Sequence, residues 1–338
     1  MKLRSGSLSI MALLLLMLVV LALIDIRLGS ITITYKEMIN HLAGSSLLSD
    51  HQLIILNKFR LPRLVTALMV GAALPVCGLQ MQTLFRNPLA GPYVLGISSG
   101  ASFGAALVVL GVGATGIVAT WSLAIAAWIG AGSVMLLLLL VSFRIKDVMT
   151  ILILGIMFSS GLGAIISIMQ YFSQAAALKS FVIWSMGSLG NVTGNQMQIM
   201  VWAIVPLLIL TFAYSKILNG LMLGEEYAFT LGIRIRRTRI IIFAVTSILA
   251  GTVTAFCGPI GFIGIAVPHM ARYLFNRSDH RILLPATMLT GMVVMVFSDI
   301  VSQLPGTERI LPINAVTSLI GIPVVIWLVI INRKAHSL

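Results

Sequence analysis

Apolar runs of about 20 residues follow one another along the whole sequence, separated by short polar connections. As helix, rising ~1.5 Å per residue, a run of that length crosses the ~30 Å hydrocarbon core of a bilayer. Stretches at approximately residues 8–28, 62–83, 93–111, 117–142, 148–171, 195–214, 239–257, 259–275, 282–303 and 312–331 qualify. The eighth is the weakest, because Pro259, Gly261, Gly264 and Pro268 interrupt it. The expected fold is therefore an all-α membrane protein of about ten transmembrane helices, forming one integral domain over residues 1–338. Only 9% of residues are charged and 59% are hydrophobic, whereas a soluble fold covers itself with roughly a quarter charged residues.

The formal net charge of +13 resembles a nucleic-acid footprint, but its distribution argues for topology and against nucleic acid as a partner. The cations sit in short clusters between apolar runs, and Lys and Arg are retained on the cytoplasmic side. With both termini inside, the inner set is Lys2, Arg4, Arg86, Arg144, Lys146, Lys216, Arg234, Arg236, Arg237, Arg239, Arg272, Arg277, Arg281, Arg333 and Lys334. The outer set is smaller: Arg27, Lys36, Lys58, Arg60, Arg63, Lys179 and Arg309. Residues 1–7 ahead of the first run look like the start of a signal peptide, yet no small-x-small cleavage site follows. They read as the cytoplasmic start of a retained first helix. Cys77 and Cys257 lie inside apolar runs with no neighbour at metal or redox spacing, which predicts two packing thiols, no metal and no cofactor.

What is missing narrows the function. The sequence has no phosphate loop of the G-x-x-x-x-G-K-[ST] type, no H-E-x-x-H and no G-x-S-x-G, so neither ATP hydrolysis by that route nor hydrolase chemistry is encoded. An ion-coupled carrier, the alternative reading, needs titratable groups at membrane depth. Of nine acidic residues, Asp25, Glu37, Asp50 and Glu308 are expected at or near the outer surface and Asp147, Glu225, Glu226 and Asp279 inside; only Asp299 falls within a span. A transporter without a nucleotide site or a buried relay must take its energy from a partner subunit.

Four segments stand out. Arg60-Leu61-Pro62-Arg63 opens the second span, with Pro62 suited to a first helical turn and two arginines opposing the helix dipole. Lipid phosphate or the carboxylates of a docking protein would compensate them. Ser98, Ser99 and Gly100 belong to a small-residue run that serves either tight helix packing or the wall of a polar pathway. Residues 258–272 break the backbone ladder with prolines and glycines, which at membrane depth requires protein or a water-filled cavity to satisfy the peptide groups; His269 there reads as structural. Residues 215–238 form the longest inner connection, with Gly224-Glu225-Glu226 opening a short helix that Gly232 terminates.

Arg60-Leu61-Pro62-Arg63, Asn87-Pro88-Leu89-Ala90, Leu95-Gly96-Ile97-Ser98-Ser99-Gly100-Ala101, Trp184-Ser185-Met186-Gly187-Ser188, Gly258-Pro259-Ile260-Gly261-Phe262-Ile263-Gly264, Val267-Pro268-His269-Met270-Ala271-Arg272 and Leu311-Pro312-Ile313-Asn314-Ala315-Val316-Thr317 stand in this order. Together they resemble the iron-siderophore, haem and vitamin B12 family of ABC-transporter permeases. The resemblance implies a type II importer bundle in the bacterial inner membrane. It also implies a homodimer, two ATP-binding cassette subunits, and a periplasmic or lipoprotein substrate-binding protein. It assigns docking of that protein to Arg60, Arg63 and Arg309, ATPase coupling to Leu221, Gly224, Glu225, Glu226 and Gly232, and an inner gate to the turn from Asp147 to Thr150. The cargo it implies is an iron-siderophore, haem or cobalamin-type chelate. The chain departs from the family at Gly91, where an acidic residue is usual, and at Ile313-Asn314, where Val-Gly is usual.

Overall fold

The computed structural model describes residues 5–28, 37, 49–112, 117–145, 147–303 and 310–335. All regular structure among them is helical. In chain order the helices are α1 (Ser5–Arg27), α2 (Asp50–Ile55), α3 (Leu61–Phe85), α4 (Ile97–Ala106), α5 (Ile117–Arg144), α6 (Val148–Phe172) and α7 (Ala175–Ser185). They continue with α8 (Gly194–Ala213), α9 (Ser215–Met222), α10 (Glu225–Thr230), α11 (Ile235–Cys257), α12 (Ile263–Phe275), α13 (His280–Ser302) and α14 (Ile313–Ala335). Among the described residues seven helical stretches are long and apolar enough to cross a membrane: Gly6–Arg27, Asp50–Phe85, Trp121–Ser142, Met149–Phe172, Gly194–Ala213, Ile235–Cys257 and His280–Ser302. Ile97–Val112, Ala175–Ser185 and Ile313–Trp327 are shorter apolar helices. The chain is a multi-pass, all-helical membrane protein.

Two local departures from the sequence-based expectations have physical causes. No helix begins at Pro62: α2 runs through a π turn, Leu56–Arg60, straight into α3, with the Leu61 N–H bonded to the Leu56 carbonyl. Pro62 has no N–H to offer, and the wider turn before it accommodates that gap. Within the eighth apolar stretch, residues 258–262 are irregular and α12 has only 13 residues. The loose backbone is held by protein. The Ile260 N–H donates to Tyr93 Oη (3.1 Å) and the Gly261 N–H to Asn314 Oδ1 (2.9 Å), while Cys257 O accepts from the Ser188 N–H (2.8 Å). The Tyr93 hydroxyl in turn donates to Ile260 O.

α3 is the centre of the bundle. The apolar window of its stretch is 83% buried, against 11% for α6, whose open face is left for lipid or a partner. α3 packs most extensively on α13 and further on α11, α12 and α8. Lipid tails are as apolar as leucine, so close van der Waals approach between backbones drives such contacts. Glycine permits it: a Cβ on Gly78 would lie 1.5 Å from Gly264 O, and one on Gly291 2.0 Å from Gly71 O. Gly100 meets α5 in the same way, with Gly130 O 2.5 Å from where its Cβ would be.

Candidate functional site

Polar groups concentrate at the two ends of the α3–α13 pair. At the end where α1 stops and α13 finishes, Arg63 forms a forked pair with Asp299, Nε to Oδ2 and Nη2 to Oδ1 both at 2.8 Å, and Nη2 also donates to Ser302 Oγ (3.2 Å). The carboxylate side chain is 1% exposed and the arginine 16%. Arg60 Nη1 donates to Ile26 O (2.8 Å) at the last turn of α1, where the carbonyl end of a helix favours a cation. Gln303 Nε2 donates to Asp25 Oδ1 (2.8 Å) and leans toward Asp299 Oδ2 (3.4 Å). Asp25 is only 3% exposed; the surface position expected for it is corrected, because α13 covers the last turn of α1.

Both arginines therefore find their counter-groups inside the chain. They face a cavity of about 700 Å³ that Ser188, Asn191 and Gln303 also line. Arg309, the third residue grouped with them, lies outside the described residues.

The opposite end carries the connection between α8 and α11. α9 turns at Leu223 into α10, which is flanked by Gly224 and Gly232, two positions with positive φ (110° and 81°) that suit glycine. Gly224 and Leu221 are buried. The outward face shows Leu223, Tyr227, Phe229 and Leu231, all more than half exposed, beside the exposed Glu226. Glu225 is turned inward, where its Oε1 accepts from Arg239 Nη2 at 2.8 Å. The two adjacent carboxylates thus do different things: Glu225 fixes the hairpin to α11 and Glu226 is free to meet another surface.

Arg239 was not singled out by sequence reasoning, although a cation inside a span at the start of α11 is an expensive group. The predicted gate lies at the start of α6. Asp147 caps α6, accepting from the Met149 N–H (3.2 Å), the Thr150 N–H (2.9 Å) and Thr150 Oγ1 (2.6 Å). Those bonds, chiefly the Thr150 hydroxyl and N–H, with the charge of Arg239 behind them, hold its carboxyl below the usual carboxylate range.

The small-residue run divides. Ser98 is buried, its hydroxyl 3.4 Å from Thr254 Oγ1, and Gly100 is in backbone contact with α5; Ser99 is half-buried. His269 Nε2 donates to Pro88 O (2.7 Å), and Arg272 Nη1 donates to Gln82 Oε1 (2.8 Å), tying α12 to the end of α3.

A helical bundle crossing a membrane, with a charge-balanced mouth at one end and an apolar-faced hairpin pinned at the other, is the build of a transport subunit that is worked by other chains. The chain belongs to the FecCD transport family, whose model matches residues 15–331. It is 34% identical over 326 residues to the hemin transport system permease protein HmuU of Yersinia pestis, covering 96% of each chain. It is 38% identical over 278 residues to the vitamin B12 import system permease protein BtuC of Escherichia coli O9:H4 (strain HS), covering 82% of this chain and 84% of that one. A solved structure described as a metal-chelate type ABC transporter in an inward-facing conformation superimposes with a TM-score of 0.84 at 30% identity, over 95% of this chain and 98% of the other.

Proposed function

We infer that this chain is the membrane permease subunit of an ABC importer, spanning the bacterial inner membrane about ten times with both termini in the cytoplasm. It passes a metal-chelate cargo of the iron-siderophore, haem or cobalamin kind. It has no ATPase site of its own, and two ATP-binding cassette subunits drive a homodimer of it. A periplasmic or lipoprotein substrate-binding protein docks at the mouth around Arg60 and Arg63, joined by Arg309. The turn from Asp147 to Thr150 gates the cytoplasmic end, and Ser98, Ser99 and Gly100 stand beside the route. The coupling element is the hairpin containing Leu221, Gly224, Glu225, Glu226 and Gly232.

One observation carries this reading. The hairpin offers a cluster of large apolar side chains to the side where the cations of α11, α12 and α13 gather, while its own base is fixed by Glu225 to a buried arginine. A lipid-facing surface at that position would need no such anchorage, whereas a surface that takes a push does.

The double variant Glu226→Lys/Phe229→Asp leaves that anchorage intact. It is expected to insert normally and to lose co-purification with the ATPase subunit by ~10-fold or more, as removal of an exposed aromatic anchor predicts. Wild-type co-purification by this variant would count against the assignment.

Ion coupling is the weaker alternative. Asp299 is buried within its span as expected and Asp25 is buried against expectation, but Arg63 pairs with Asp299 and Gln303 bonds Asp25 at the same end of the bundle. Among the described residues no other carboxylate lies between that cluster and the far end of α13, which disfavours a carboxylate relay across the membrane.

A further inference from the structure

Asn219, on the inward side of α9, makes an unusually complete set of hydrogen bonds. Its Nδ2 donates to Asp279 Oδ1 (2.7 Å), and its Oδ1 accepts from both the backbone N–H (2.8 Å) and the ring Nδ1 (2.8 Å) of His280. Because Nδ1 faces an amide oxygen, it carries a ring proton; Nε2 lies within hydrogen-bond distance of Thr83 Oγ1 (2.8 Å), a hydroxyl that also bonds Leu79 O (2.8 Å). Asp279 caps α13, His280 begins it fully buried, and Thr83 lies in the last turns of α3. One side chain of the hairpin thus holds the start of α13, and His280 there meets the end of α3.

Those two helices are fixed to each other at three depths. Thr83 and His280 join them at the hairpin end, the Gly71 and Gly291 backbones touch near the middle, and Arg63 and Asp299 fork together at the far mouth. A pair so fastened moves as one body, because packed interfaces shift between discrete arrangements and do not bend continuously.

We propose that Asn219 is the positioning residue through which the α9–α10 hairpin moves the α3–α13 pair, and that this pair carries the displacement as a rigid strut to the Arg63 mouth. The inference rests on the hairpin being the ATPase-coupling element and adds to it the residue that transmits the motion. Mechanical coupling runs both ways, so docking of the binding protein at the mouth alters ATP hydrolysis at the opposite face through the same strut.

The test uses the complete complex of permease, ATPase subunit and binding protein in lipid nanodiscs, with ATP hydrolysis measured before and after adding the binding protein. Asn219→Ala is expected to keep the ATPase subunit bound and basal hydrolysis unchanged, while the stimulation by binding protein falls about 2- to 30-fold, the span seen for residues along a coupling route. Thr83→Val keeps the shape of a buried side chain and removes its hydroxyl. It should lose stimulation likewise, and Thr83→Ser should retain it. Full stimulation in both Asn219→Ala and Thr83→Val overturns the proposal, as does loss of the ATPase subunit from Asn219→Ala, which would make the residue a support of the docking surface only. Retained co-purification of Glu226→Lys/Phe229→Asp is a separate outcome and strikes the coupling assignment itself.

Discussion

Replacing Arg63 by alanine is expected to destabilise the folded protein by about 3–5 kcal/mol, because it removes one partner of a buried, forked ion pair. The loss is compounded by what remains. Asp299 and Asp25 both approach Gln303 Nε2 and share little exposure, so without Arg63 two carboxylates confront one another in a nearly dry site. Asp299→Ala removes a charge from the other side and leaves Asp25 near the guanidinium, so it should be the milder of the two. The double variant Arg63→Leu/Asp299→Leu should be less damaging than the sum of the single losses, since no lone buried charge is left. Thermal unfolding in detergent reads all three. Additive losses would mean that the fork contributes nothing as a pair.

The second large effect belongs to a residue with no side chain. Gly78→Ala places a methyl group 1.5 Å from the carbonyl oxygen of Gly264, and no rotamer relieves a clash with backbone. α12 must be displaced from α3, with an overpacking cost at or above the usual ~1–3 kcal/mol. The hydrogen bonds from Gln82 to Ile265 O (3.2 Å) and from Arg272 to Gln82 would be strained with it. Gly161→Ala on α6, where nothing lies within 4 Å, serves as the comparison and should be neutral or slightly favourable, because alanine is the better helix former. Membrane abundance and monodispersity of the two variants decide it: equal yields would show that the α3–α12 contact is not as close as described.

How much of this was legible depends on the physics behind each feature. Long apolar runs announce helices because hydrocarbon leaves the peptide groups no other partner over that length. The glycines around α10 could be read because positive φ has few other occupants. The internal use of Arg60 and Arg63 could not be read, since Asp299 is 236 residues from Arg63 in sequence and nothing local signals the pairing. Asp25 was misplaced for the same reason: a carboxylate near the end of an apolar run looks like an interfacial group until a second helix covers it.

Asn219 and Arg239 were missed because a lone amide and one cation in a basic cluster carry no pattern. At Asn314 the chain departs from the usual residue of the family it resembles, and the cause is visible only in three dimensions: its amide oxygen takes the Gly261 N–H that the irregular turn leaves open. Gly91, the other departure, fits its site sterically, since even a Cβ there would come within 2.8 Å of the Ile265 side chain.

The proposed function makes this bundle a subunit moved by a partner ATPase. The direct test is accumulation of haemin and vitamin B12 by proteoliposomes, with the chain alone under an imposed proton gradient and with the chain plus its ATPase subunit and binding protein supplied with ATP. The account predicts accumulation of a chelate only by the full complex, abolished by vanadate and indifferent to a protonophore. Concentrative uptake by the isolated chain, driven by the proton gradient, would contradict it.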